Sequence, residues 1–370
     1  MRPCLWLEVG HLTNLYGRKW TRQELERHVG DIAQLGGVCR LSYREGRQAG
    51  MELAQFRTGT GFNFNVSLGQ GMDISLAEYQ GQPLAWRGSP GDVASTYYEP
   101  QGRGWLRSFP GGLIKTCGLT NVGAACTDQG LELGMHGRIG NLPAENVWVD
   151  GAWEGDEYMM WAQGKMRETT VFGENLLLSR RISARLGESK VWVDDVVENQ
   201  GAYSQEFMLL YHINLGFPVV AKGSQLLTPP TIVVPRDGDA EDGKAFYASF
   251  HEPQAGYREK VYYHDVEPDD EGYVTVAIVN REHNAGQGLG IYVRYKKEQL
   301  PRLIQWKMLD ERTYVVGLEP ANCLVEGRDR ERERGTLSIL QPGTTQQVHL
   351  EIGVLPDNGA IEGFRAQVGI

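Results

Sequence analysis

Residues 62–68 read Phe-Asn-Phe-Asn-Val-Ser-Leu, an unbroken alternation of apolar and polar side chains. Successive side chains of a strand point to opposite faces, so this spacing puts Phe62, Phe64, Val66 and Leu68 on one buried face. Upstream, Cys39, Leu41 and Tyr43 alternate more weakly with Arg40, Ser42 and Arg44. Downstream the pattern recurs in Met72–Leu76, Val147–Val149, Glu157–Trp161, Leu176–Ala184, Val191–Val197, Phe207–Tyr211, Val274–Val279, Ile291–Tyr295, Tyr314–Leu318, Thr336–Leu340 and Val348–Ile352. Each segment is short and bounded by Gly, Pro, Asn or Asp, the punctuation of strands. About a dozen strands without helices between them cannot form a parallel sheet, which needs helical crossovers, so the chain is predicted to be all-β, a large antiparallel sandwich.

One helix is predicted, near the start. Thr21 and Glu24 have capping-box spacing, Leu25, Val29, Ile32 and Leu35 follow at helical steps, and Gly36-Gly37 supplies a stop. Residues 1–57 are accordingly expected to form an extension packed on a sandwich of residues 58–370. Lys222–Glu259, with Thr228-Pro229-Pro230 and the acidic run Asp237–Asp242, reads as an exposed insertion. The alternating charges of Asp329–Arg334 read as a loop or a solvated strand end.

Composition narrows the function classes. The chain has 370 residues, 41% hydrophobic and 23% charged, enough to bury a substantial core. Its 47 glycines are nearly twice the usual share of about 7%, as many tight turns require. A net charge of -10 repels nucleic acid and anionic membranes, so neither is expected as a partner. Five cysteines, Cys4, Cys39, Cys117, Cys126 and Cys323, are odd in number and include no CxxC pair, which fits reduced thiols in a cytoplasm. The first residues lack the apolar core of a signal peptide, and no apolar run approaches the ~20 residues that span a bilayer.

Against this background a few polar residues sit in unusual surroundings. His136 lies among glycines in Gly134–Asn141, where little bulk competes for space around the imidazole. It is read equally as a ligand-facing group or as a turn histidine bonded to its own loop. His212 ends the apolar run Phe207–Tyr211, and alternation places it on one face with Met208 and Leu210. That is a satisfied core histidine if the face is closed, and a proton-transfer group if the face lines a cleft. Glu319 follows Tyr314–Leu318 and precedes Pro320, where a buried carboxylate is costly unless paired or used. Burial would raise its proton affinity toward that of a general base; a solvated strand end is the plain alternative. Arg107, between Trp105 and Phe109, is either a ligand-binding guanidinium or one stacked on a ring. These four residues are expected to converge. No HExxH-like spacing joins them, so no metal is called for, and the glycine-rich stretches near Arg103 and Leu289 lack the strand–turn–helix setting of a phosphate loop.

The order Arg107, His136, His212, Glu319 on an all-β chain resembles the aldose 1-epimerase, or galactose mutarotase-like, superfamily. The segments WLRSFPGGLIKTCGL (105–119), GMHGRIGNLPAE (134–145), LLYHINLGFP (209–218) and VVGLEPAN (315–322) are similar to a bacterial branch of it designated a domain of unknown function. Gln70 departs from that branch, which usually has arginine before Gly71-Met72-Asp73-Ile74. The resemblance runs from about Phe62 to Val354 and implies a β-supersandwich whose concave face binds a sugar ring. It further implies Glu319 as the base that takes the anomeric hydroxyl proton and His212 as the acid that protonates the ring oxygen. His136, Arg107 and, more weakly, Lys307 would hold the sugar, with Trp105 or Trp306 stacking on it, and no cofactor would be needed. A sugar isomerase, epimerase or lyase using the same pair, and a carbohydrate-binding module without catalysis, are the competing readings. A small-molecule sugar is the expected partner, and a homo-oligomer is left open.

Overall fold

The computed structural model describes residues 12–370, in which the alternating segments become strands almost throughout. Six of them frame the site: β1 (Lys115–Leu119), β2 (Gln205–Gly216), β3 (Thr231–Pro235), β4 (Lys260–Val266), β5 (Arg302–Asp310) and β6 (Thr313–Ala321). They belong to a seven-stranded sheet in the order β3-β4-β5-β6-β2, with β1 and Ser338–Leu340 both pairing with β2. An eight-stranded sheet runs from Glu145–Glu154 through Glu157–Thr169, Asn175–Arg185, Lys190–Asn199, Thr345–Leu355, Leu289–Lys296 and Tyr273–Asn280 to Gln225–Leu227. The strands of both sheets pair antiparallel.

Strand β2 explains how the core and the site share one sheet. Phe207, Leu209, Tyr211, Ile213 and Leu215 join the main core together with residues of the eight-stranded sheet. Met208 and Leu210 belong instead to a smaller cluster on the opposite face, with Trp105, Phe109, Cys117 and Ile304. Both faces are covered, which is why β2 reads as a continuous apolar run rather than an alternating one.

The N-terminal region departs from expectation in detail. The capping box is present: Glu24 N donates to Thr21 Oγ1 at 3.2 Å and Thr21 N to Glu24 Oε2 at 2.9 Å. The helix, however, covers only Arg22–Glu26. Past Gly30, Asp31 caps Ala33 N at 2.9 Å and starts a separate 3₁₀ turn at Ile32–Gln34, so the apolar spacing is divided between two short elements. Leu15 and Leu25 pack with Leu186, Trp153 and Tyr158, fastening this region to the eight-stranded sheet. A five-stranded sheet, Gly37–Ser42, Glu52–Arg57, Phe62–Ser67, Asp73–Tyr79 and Gln82–Pro83, runs straight across the boundary drawn after residue 57.

Two charged stretches also differ. Asp329–Arg334 lies within a helix, Arg328–Arg334, rather than a loop, and Arg328 and Glu331 are buried. Arg328 Nε and Arg332 Nε each donate to Asp128, at 2.7 and 2.8 Å, so the charge alternation marks one face bound to a neighbour. The acidic run becomes a short helix, Gly238–Asp242, capped by Asp237. Its flanks are strands of both large sheets, so the expected insertion is woven into the sandwich. No helix among the described residues is long and apolar enough to cross a membrane. Cys39, Cys117, Cys126 and Cys323 are free thiols. Cys4 and the rest of residues 1–11, on which the signal-peptide reading falls, lie outside the described residues.

Candidate functional site

Strands β5, β6 and β2 are neighbours, and their registers decide what meets. Ile213 lies opposite Leu318, which brings His212 beside Glu319, and Trp306 lies opposite Gly317. His212 Nε2 is 3.2 Å from Glu319 Oε1, with both side chains almost wholly buried. The contact lacks hydrogen-bond alignment: Glu319 Oε1 and His212 Nδ1 are both buried without a hydrogen-bond partner. Gly317 makes the juxtaposition feasible, since a Cβ there would lie 2.5 Å from Glu319 Oε1 and 3.2 Å from His212 Cε1.

Two loops close over this pair. The 3₁₀ turn Gly104–Arg107 delivers Trp105, whose ring centroid is 4.5 Å from that of His136. Phe109 and Trp306 flank His212, each with a centroid separation of 5.3 Å. His136 itself sits 5.9 Å from His212, on a backbone with φ of 56° that few residues other than glycine adopt. Gly137 follows at φ 67°, where a Cβ would collide with the carbonyls of Gly118 and Asn121. The Gly123 amide donates to His136 Nδ1 at 3.3 Å, which leaves the ring proton on Nε2. The cleft these residues line holds about 340 Å³, within the range of small-molecule sites.

Burial controls the charges here. Glu319 is pushed well above the usual carboxylate range by desolvation, reinforced by the charge of Glu259 and opposed by Arg236. His212 is pushed well below the usual imidazole range by desolvation and then by His136. Desolvation alone takes His136 down to about 4, so it is neutral at pH 7 and offers Nε2–H as a donor. Burial thus favours the neutral form of both His212 and Glu319.

His136, His212, Glu319, Trp105 and Trp306 all line this cavity, whereas Arg107 and Lys307 do not. Arg107 points out of it with 70% of its side chain exposed and pairs with Glu99 at 3.2 Å, because it lies two positions past Trp105 on a tight turn. Lys307 follows Trp306 on a strand and so faces the other way. It is buried, its Nζ donating to the carbonyls of Phe246 at 2.7 Å and Ser249 at 2.5 Å. Desolvation and Lys260 bring it down to about 8. Sequence reasoning missed Arg103, Phe109, Arg236 and Glu259, which also line the cavity. Phe109 lay within the segment already singled out. Arg236 and Glu259 are joined only by the pairing of β3 with β4, a long-range fact that no local motif carries. There Trp306 Nε1 donates to Glu259 Oε2 at 2.9 Å, and Arg236 lies 3.2 Å from its other oxygen. No group of three His, Cys, Asp or Glu side chains among the described residues is arranged to hold a metal ion.

The antiparallel sheets, with a cleft on the outer face of one of them, match the fold of galactose mutarotase-like proteins. The chain belongs to the family described as Domain of unknown function (DUF4432), whose model matches residues 48–354. Its structure is similar to that of a candidate aldose 1-epimerase from Klebsiella pneumoniae, at 23% identity and a TM-score of 0.84, over 97% of this chain and 94% of the other. A galactose mutarotase-like protein from Clostridium acetobutylicum matches at 10% identity and a TM-score of 0.58, over 87% and 99% of the two chains. A galactose 1-epimerase from Lactobacillus acidophilus matches at 13% and 0.50, over 86% and 98%. No curated protein sequence gives a significant match.

Proposed function

We propose that this protein is an aldose 1-epimerase, interconverting the anomers of a sugar by acid–base ring opening. The observation that carries the reading is the His212–Glu319 pair: two buried, titratable groups 3.2 Å apart, each with an unused polar atom, at the base of a cavity of ring size. A hemiacetal presents two oxygens on one carbon, and a pair at this spacing can address both. Glu319 takes the proton from the anomeric hydroxyl as the electron pair of that O–H becomes part of the carbonyl. The bond from C1 to the ring oxygen breaks, and His212 gives that oxygen its proton. Rotation about C1–C2 and reversal of the steps close the ring on the other face.

The displaced proton affinities suit these roles. A carboxylate whose pKa is raised is a strong base once ionised, and an imidazolium whose pKa is depressed is a strong acid once formed. A proton passed from Glu319 to His212 would ready both groups. His136 donates through Nε2 to a sugar oxygen, while Trp105, Phe109 and Trp306 offer rings to the apolar faces of the sugar. Protons alone are exchanged, so the chemistry calls for no cofactor.

The test is one-dimensional proton NMR of freshly dissolved pure anomers in deuterated buffer, comparing wild type with Glu319→Gln and His212→Asn. Wild type should hasten equilibration, and each variant should lose roughly 10²–10⁴-fold of that rate. Exchange of a carbon-bound hydrogen would instead establish epimerisation or isomerisation at carbon. Binding without any acceleration would make the protein a carbohydrate-binding module.

A further inference from the structure

The cavity does not stop at Leu106. That residue also lines a second, shallower groove of about 580 Å³ shared with Arg47, Tyr97, Glu99 and Arg107. One short turn explains why the two spaces adjoin. Along Gly104–Arg107 the side chains are dealt out in succession, Trp105 to the cavity, Leu106 to the ridge between, and Arg107 to the groove. Arg47 comes from a separate segment and is held in place by donating to the Arg107 carbonyl at 3.0 Å.

The charge along this path is lopsided. Arg103 stands at the cavity wall and Arg47 and Arg107 in the groove, against Glu99 as the groove's one carboxylate. Arg107 is paired with Glu99, while Arg47 and Arg103 form no ion pair among the described residues. On a chain with a net charge of -10, a run of guanidiniums leading out of a sugar-sized cavity is a local reversal of sign. Guanidinium is the group that best matches carboxylate and phosphate oxygens.

We propose that the substrate is an aldose bearing an acidic group, carboxylate, phosphate or sulfate, at the end remote from its anomeric carbon. This rests on the epimerase reading, which seats the anomeric carbon at His212 and Glu319 and requires its hydroxyl to be free. The acid therefore belongs at the far end of the molecule, where it passes Arg103 and crosses Leu106 toward Arg47 and Arg107. The Arg236 guanidinium, already held by Glu259 and Asp237, is not the group that receives it.

The experiment compares anomer equilibration of glucose and galactose with that of their 6-phosphates, the corresponding hexuronates, and a reducing disaccharide with a uronic acid at its non-reducing end. An acidic sugar should exceed its neutral parent by at least about tenfold in kcat/KM, or about 1.4 kcal/mol. That advantage should shrink in about 1 M salt, where the Debye length falls to about 3 Å. An Arg47→Gln, Arg107→Gln double variant should lose the preference through KM, and the corresponding lysine pair should recover part of it. Whichever acidic sugar is fastest reports how far beyond the ring the acid lies. Equal kcat/KM for neutral and acidic sugars overturns the inference and leaves the epimerase reading standing. Titration of Glu319→Gln with the same sugars, followed through quenching of tryptophan fluorescence, separates the two ideas. Binding of acidic sugars there, with no acceleration of any sugar by wild type, sinks the epimerase reading alone; no binding and no acceleration of any acidic sugar sinks the inference.

Discussion

Replacing Glu168 with Gln should invert the order of stability of the two proteins between about pH 4 and about pH 8. Glu168 is buried on Glu157–Thr169, where Oε2 accepts from Leu119 N at 2.9 Å and Oε1 from Thr120 Oγ1 at 2.6 Å. Desolvation pushes its carboxyl up from 4.5 to about 7, outweighing those two hydrogen bonds, which favour the ionised form. Because the folded value is the higher one, the folded protein holds this proton more tightly than the unfolded chain does. Its contribution to stability is complete below the unfolded value and is lost as pH rises through about 7. At 1.36 kcal/mol per pH unit, the swing is about 3 kcal/mol. Gln does not titrate, and Thr120 can turn its hydroxyl to accept from the new amide, so the substitution costs about 1 kcal/mol at all pH values. Wild type should therefore lead by about 1 kcal/mol at the acidic end and trail by about 2 kcal/mol at the alkaline end. Urea unfolding followed by tryptophan fluorescence, at half-unit steps of pH, measures that difference directly. A gap between the proteins that stays constant across the range would mean that Glu168 is ionised in the fold and that burial has been misjudged.

Two further outcomes follow from the same geometry. Because burial pushes His212 well below the usual imidazole range, kcat/KM should show no acid limb centred in the ordinary histidine range as pH falls. Its alkaline limb should come where Glu319 loses its proton, above the usual carboxylate range; an acid limb centred near 6.5 would show His212 titrating as a solvated imidazole. Arg180→Ala should cost about 3–5 kcal/mol in unfolding free energy, since it leaves the Asp195 carboxylate in the core without its ion-pair partner, and a loss below about 1 kcal/mol would contradict that network.

Legibility in the sequence tracked the range of the interaction involved. Phe62–Leu68 could be read as a strand because alternation is local, and its apolar residues Phe62, Phe64, Val66 and Leu68 are all buried. The facing of His212 with Met208 and Leu210 followed from the same rule. That rule also separates Trp306 from Lys307, which adjoin in sequence and lie on opposite faces of β5, so only Trp306 faces the cavity. Arg107 lies outside the cavity because a 3₁₀ turn advances about 120° per residue, which carries it away from the face that Trp105 presents. The helix expected through Leu35 ended at Glu26, and Asp31 then capped a separate 3₁₀ turn at Ile32–Gln34. Arg236 and Glu259 were invisible for a different reason: twenty-odd residues separate them, and only the β3–β4 pairing makes them neighbours.

Four ionisable groups buried between the sheets, Arg180, Asp195, Asp73 and Lys115, make sense when traced to what they hold. Arg180 donates to Asp195 through Nε at 2.8 Å and to Thr116 Oγ1 at 2.9 Å, and Asp195 in turn accepts from the Tyr211 hydroxyl at 2.6 Å. Tyr211 and Thr116 are paired across β2 and β1, so both strands are pinned on their core side. His212, the next residue, is thereby fixed on the cavity side. Lys115, paired with His212, reaches Asp73 at 3.3 Å and also donates to the Gly140 carbonyl, in the turn that follows His136. One network thus ties the strand bearing His212 and the loop bearing His136 to the same interior charges. Burying such charges seldom adds net stability, since desolvation consumes most of their attraction. What it supplies is a fixed register. The 3.2 Å approach of His212 to Glu319 depends on that register, because a slip of one residue would turn His212 into the core and Tyr211 into the cavity.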